Sequence, residues 1–248
     1  MPLEIFSRLL TVYGSPNFFA VPSIHDTYAM TLGLMQGGNP QAGLNRGTFG
    51  AGILMVIGHF LVGIAEAQIS AAKGQLAGLY IWGDIAYTRG MFFSPDYWRT
   101  YFKPTVKAMI ELCHQNNLPV IYHGCGNVHS ILPDFIEIGV DVLNISQPNV
   151  VDVAEVGRQL RGRQCFMMPI SYQTVSISGT REEILAEAQR LYDLLATPDG
   201  GFIGYVEEYG CMGMSETNYR ACGEAFDRLD PSRLAAGRAG CGAGAFGH

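Results

Sequence analysis

From Gly50 onward, short apolar runs alternate with helical patterns, five times over. The runs are LAGLYIW at 76–82, LPVIYH at 118–123, VDVLNIS at 140–146, QCFMMPI at 164–170 and GFIGYVE at 201–207. They are apolar at successive positions and so have no solvent face, as in parallel strands covered by helices on both sides. Such alternation builds either an open doubly wound sheet or a barrel, and periodicity alone does not choose between them. Helices are expected over 51–73, 94–117, 128–139, 150–162, 179–196 and 215–229. Ser94 is a plausible N-cap, followed by Pro95 and Asp96, which suit a first turn. Thr180 and Glu183 have the spacing of a capping box.

The flanks read differently. Residues 1–50 contain GSPNFFAVPS and QGGNPQAGLNRGTFGAG, rich in Gly, Pro and Asn, and are expected to be an irregular segment. Residues 51–230 form the expected domain, and the Gly/Ala-rich tail at 231–248 is expected to be disordered. The most apolar stretch, AGILMVIGHFLVGIA at 51–65, is shorter than the roughly 20 residues of a membrane span and is read as a buried helix.

With 248 residues, 48% of them hydrophobic and 15% charged, the chain can bury a sizeable core as one soluble domain. A net charge of -6 argues against nucleic acid or an anionic membrane as the main partner. The N-terminus MPLEIFSRLL lacks the pattern of a secretory leader, so a cytoplasmic, reduced setting is expected. In that setting cysteines are more often buried, metal-bound or catalytic than paired.

In parallel α/β folds chemistry gathers where strands run out into loops. Three such loops carry unusual residues: Gly83-Asp84, the turn His123-Gly124-Cys125-Gly126-Asn127, and 207–211, which ends in Cys211. His123 and Cys125 put an imidazole and a thiol on one short turn, with Gly124 and Gly126 allowing it to fold tightly. Cys211, 86 residues beyond Cys125, is too far for a zinc finger but suits a second loop on the same rim. Zinc takes three or four N/S ligands, and a catalytic site leaves one position open. Spacing alone leaves the bland reading in place, because a lone cysteine is usually a small buried hydrophobe. That reading is taken for Cys113, Cys165 and Cys222. His114 reads as a helix C-terminal cation and His129 as polar surface. Asp84 by itself is as compatible with capping the next helix as with catalysis, and Tyr172 and Gln173 as compatible with loop polarity as with lining the rim. No nucleophile elbow, phosphate-binding loop or HEXXH pattern occurs.

Several blocks, in order, resemble the uroporphyrinogen decarboxylase superfamily. They are GDIAYTRGMFFSPDYWRTYFKP, LPVIYHGCGNVHSILPDFIEIGVDVLNISQ, SGTREEILAEAQRL and PDGGFIGYVEEYGCMGMSETNYRA. The resemblance runs from about residue 57 to 229 and implies a TIM (β/α)8-barrel-like α/β fold with an incomplete N-terminal part. Within the superfamily, the H-x-C pair with a late cysteine resembles the cobamide-dependent methyltransferases. That likeness implies a zinc ion held by His123, Cys125 and Cys211. It implies methyl transfer between a small methylated donor or a thiol acceptor and a corrinoid protein that brings the methyl-corrinoid. Asp84, Tyr172 and Gln173 are then expected at the catalytic centre, with Gly124, Gly126 and Asn127 lining the cofactor. In some relatives an acidic residue after the strand VDVLNIS is a further zinc ligand; here Ser146-Gln147-Pro148 stands there. The alternatives are a cofactor-free porphyrinogen decarboxylase and a partial, non-catalytic barrel domain. The decarboxylase's Arg-rich N-terminal segment has no counterpart, since Arg46 is the sole Arg between Arg8 and Arg89. A barrel left open would expose edge strands, so a homodimer is also expected.

Overall fold

A computed structural model of the chain describes residues 19–21, 47–207 and 213–229, with side chains described at 54–207 and 213–229. The described residues fall into two compact units, one drawn from 1–146 with 163–166, the other from 147–162 with 167–248.

The first unit opens on strand β1 (Phe19–Val21) and helix α1 (Gly47–Ala72). Strand β2 (Leu79–Trp82) is followed by a small antiparallel hairpin, β3 (Ala86–Tyr87) and β4 (Gly90–Met91). Helices α2 (Pro95–Tyr101) and α3 (Lys103–Gln115) lead into strand β5 (Val120–Gly124). A 3-10 turn (His129–Ile131), helix α4 (Leu132–Glu137) and strand β6 (Val142–Ile145) complete the unit, apart from the start of β7 (Cys165–Pro169). β1, β2, β5 and β6 are parallel neighbours in that order. β2, β5 and β6 are buried along their length except Trp82 at the end of β2, as apolar runs without alternation require.

Ser94 caps α2 by accepting the Tyr97 N–H, as its place in the sequence predicts. The single helix expected over 94–117 is broken at Phe102, and Pro104 supplies the reason. Proline has no N–H to donate into the preceding turn, so a new helix starts at Lys103 with Pro104 in its first turn. Trp98, Tyr122 and Phe135 fill the space between these helices and the sheet, with Phe135 4.5 Å from Tyr122 and 5.4 Å from Trp98 between ring centres. Asp134 joins the helices at the rim, receiving Arg99 Nη2 at 3.0 Å and Lys103 Nζ at 2.8 Å.

The apolar helix differs from its expectation in two respects. It begins at Gly47 and runs 26 residues, and 54–72 alone is long and apolar enough to cross a membrane. Length therefore does not exclude a span, contrary to the reading of 51–65 as too short. Nor is it buried all round: Leu54, Gly58, Leu61 and Ala65 form one buried stripe, while Met55, Val56 and Phe60 are exposed. The stripe follows the i, i+4, i+7, i+11 rhythm of one helix face. Gly58 lies so close to Thr105 of α3 that a side chain there would collide with it.

The second unit holds the rest of β7, helices α5 (Val153–Leu160), α6 (Val175–Ser178) and α7 (Arg181–Leu195), strand β8 (Phe202–Tyr205) and helix α8 (Glu216–Leu229). The capping box of α7 is formed: Thr180 Oγ1 accepts the Glu183 N–H, and Glu183 accepts the Thr180 N–H at 2.7 Å. Ile170, Ile184, Ala188, Met214, Ala221, Cys222 and Ala225 make a common core. Short α6 has no counterpart in the sequence reading, because VSIS is too brief for a periodic signal. Its last carbonyls are held instead by Asn218, whose Nδ2 donates to Ser176 O at 3.1 Å and Gly179 O at 3.1 Å. Asn218→Ala is expected to leave those carbonyls unpaired and lower stability by about 1–2 kcal/mol in urea unfolding. A change below about 0.5 kcal/mol would mean that the clamp contributes nothing.

Candidate metal centre

The centre begins with the register of three parallel strands. Trp82 of β2 pairs with His123 of β5, and His123 with Asn144 of β6. Side chains at paired positions of parallel strands leave the sheet on the same face, and Tyr80, two residues before Trp82, shares it. One row therefore carries an indole, an imidazole and an amide. The Trp82 and His123 rings lie 4.5 Å apart. His123 Nδ1 donates to Asn144 Oδ1 at 2.6 Å, and the Tyr80 hydroxyl donates to the same oxygen at 2.6 Å. With Nδ1 engaged, Nε2 points the other way, to the strand end.

There it meets Cys125 and Asp84. Cys125 Sγ is 3.6 Å from Nε2 and 3.2 Å from the hydroxyl of buried Ser146. Asp84 Oδ1 is 3.4 Å from Nε2 and accepts the Cys125 N–H at 2.7 Å. The three donor atoms lie within 4.8 Å of one another. Close backbone contacts hold the loops: Gly83 N–H donates to His123 O at 2.8 Å, and Asn127 N–H to Tyr87 O at 2.9 Å. Gly126 has φ +80, and a Cβ there would sit 2.5 Å from the Ala86 backbone. Glycine is thus required where the turn meets the β3–β4 hairpin. At Gly124 no such demand exists, since a Cβ would meet nothing closer than 3.6 Å.

Charge follows geometry. Burial alone would lower the His123 pKa, but the Asp84 carboxylate, with help from Cys125 and Asn144, outweighs it and pushes the pKa up to about 10. Burial would likewise raise Asp84, yet the hydrogen bonds to His123 and the Cys125 amide hold its pKa below the usual carboxylate value. Without a metal the two form an imidazolium–carboxylate pair.

Of the other expected site residues, Tyr172 and Gln173 belong to the second unit, where Gln173 Oε1 accepts from Asn149 Nδ2 at 3.0 Å. Asn127 uses its side-chain oxygen locally, accepting the His129 N–H at 3.1 Å. Cys211 lies outside the described residues, as do Glu208, His25, Cys241 and the tail at 231–248. Cys113 and Cys222 are buried as expected, and burial pushes their thiols up to about 12 and about 11. Cys165 is partly covered and is also raised to about 12. His114 bonds Asp141 Oδ2 through Nε2 at 2.8 Å, so its partner is a side chain just before β6. Tyr80, Trp82 and Asn144 are not anticipated at the centre by the sequence. Asn144 alone left a trace in the sequence, as a polar residue inside an otherwise apolar run.

The sequence profile of the family "Uroporphyrinogen decarboxylase (URO-D)" matches residues 52–226. The chain belongs to the URO-D family. No curated protein matches the chain in sequence. A methyltransferase from Methanosarcina mazei has a similar fold, with a TM-score of 0.53 and 19% sequence identity over 68% of this chain. The match covers 47% of that protein, so this chain spans about half the length of its relative. The fold is therefore the TIM-barrel-like α/β fold of the URO-D family, as the sequence blocks predict.

A zinc ion fits the donors present. An imidazole nitrogen and a thiolate sulfur on one tetrahedral zinc are about 3.6 Å apart, given bonds of about 2.0–2.1 Å and 2.3 Å. The His123–Cys125 separation has this value, and a second partner on the far ring nitrogen is what metal-binding histidines generally have. Asn144→Ala is expected to weaken zinc binding about 10–100-fold, with Asn144→Asp restoring it, as read by chelator competition. Equal affinity in all three proteins would remove Asn144 from the centre. Because His123 keeps its proton up to about pH 10, a metal must displace it. Affinity should therefore rise with pH through the neutral range, about tenfold per unit from His123 alone, and fall as pH drops. A flat profile between pH 6.5 and 8.5 would show that His123 is not a ligand.

Proposed function

We propose that the chain is the zinc-binding part of a methyltransferase that moves a methyl group between a small methylated substrate or thiol and a corrinoid protein. The observation that carries the reading is the pairing of His123 Nε2 with Cys125 Sγ at 3.6 Å, with Nδ1 already bound to Asn144. Membership of the URO-D family and a fold like that of a methyltransferase support it. His123 Nε2 and Cys125 Sγ are two ligands, and Cys211, from the loop after β8, is the proposed third. A zinc ion so held supplies Lewis acidity that makes a bound thiol a thiolate at neutral pH.

The chain's own residues do the rest. Asn144 and Tyr80 orient His123, Ser146 contacts the Cys125 sulfur, and Trp82 places an apolar surface beside the imidazole. Trp82 is 38% exposed, so this wall is open to an incoming group. A partly apolar wall suits a methyl group, which offers no hydrogen bond. The methyl carrier is proposed to come with a separate corrinoid protein, and the setting to be cytoplasmic.

Metal content of the purified protein tests the reading, with Cys211→Ala beside wild type. About one zinc per chain is expected in wild type, with most of it lost in the variant. Zinc-loaded protein should then demethylate methylcobalamin in the presence of a small thiol, followed by the cobalamin spectrum. A folded wild type without stoichiometric zinc would overturn the proposal.

A further inference from the structure

We propose that Asp84 is a further ligand of the metal held by His123 and Cys125. This rests on the zinc reading above and adds a residue to it. Two observations converge on the carboxylate. The first is distance. A nitrogen and an oxygen bound to one tetrahedral zinc at about 2.0–2.2 Å are about 3.3–3.5 Å apart. Asp84 Oδ1 stands 3.4 Å from His123 Nε2, the same nitrogen that lies 3.6 Å from Cys125 Sγ. Both measured separations are edges of one such tetrahedron.

The second is rigidity. Oδ1 accepts the Cys125 N–H at 2.7 Å, and the neighbouring Gly83 N–H bonds to His123 O at 2.8 Å. The carboxylate and the His-x-Cys turn are tied by two hydrogen bonds across adjacent strand ends, so the three donors are held in place before any metal arrives. Asp84 is accessible enough for exchange, with its side chain 32% exposed. Among thiolate, imidazole and carboxylate, the carboxylate is the hardest donor for a borderline-soft ion. Asp84 would thus be the weakest-held donor of the set.

Asp84→Asn tests the ligand role apart from the structural one, because the amide oxygen still accepts the Cys125 N–H while the charged donor is gone. Zinc affinity by chelator competition should fall at least tenfold. The visible ligand-field bands of the cobalt(II)-substituted protein should shift. Asp84→Ser, also uncharged and able to accept a hydrogen bond, gives the same comparison if the Asn variant does not fold. A wild type with one zinc and a variant with affinity within threefold and unchanged cobalt bands would overturn the role of Asp84 alone. A folded wild type that binds no zinc would overturn the role of Asp84 together with the zinc reading.

Discussion

The hydrogen bond from His123 Nδ1 to Asn144 Oδ1 is the contact on which the site depends. A neutral histidine can carry its hydrogen on either of two ring nitrogens, and the hydrogen bond that one of them makes decides which. Here the choice is made inside the sheet, where Asn144 is 1% exposed and its oxygen also takes the Tyr80 hydroxyl. The amide oxygen cannot donate, so Nδ1 must carry the hydrogen and Nε2 is left to face Asp84 and Cys125. This arrangement needs β2, β5 and β6 to keep one register. A slip of one residue in any of them would turn its polar side chain to the opposite face.

The helices and hydrophobic runs explain why the register is kept. The three strands are buried almost throughout, and Tyr122, Trp98 and Phe135 pack behind them. Tyr122 points away from the site on the other face of β5, next to His123 in sequence. It is so close to Gly83 that a side chain there would collide with it. The core therefore sets how closely the Gly83–Asp84 loop approaches the His-x-Cys turn. The positive φ of Gly126 then brings the β3–β4 hairpin over the other side.

Much of this was legible from residues alone. The alternating apolar runs became strands, Ser94 and Thr180 became caps, and the HGCG turn fell at a strand end. These features depend on neighbours a few positions apart. What escaped depends on register or on distant packing. Tyr80 and Asn144 lie 64 residues apart in the chain and meet through strand pairing. The β3–β4 hairpin is two residues per strand, too short for alternation to show. The half-exposed α1 was misread because its composition is apolar on every face, while its burial is decided by α3 against Gly58. Tyr172 and Gln173, which follow a strand, belong to the second unit.

The account's central claim is that His123 and Cys125 bind one metal ion. Zinc K-edge X-ray absorption on the purified protein tests it most directly. The account predicts a mixed inner shell, with sulfur at about 2.3 Å and nitrogen or oxygen at about 2.0–2.1 Å, and loss of the sulfur contribution in part with Cys125→Ser. A shell of light atoms alone, or one unchanged by Cys125→Ser, would contradict it.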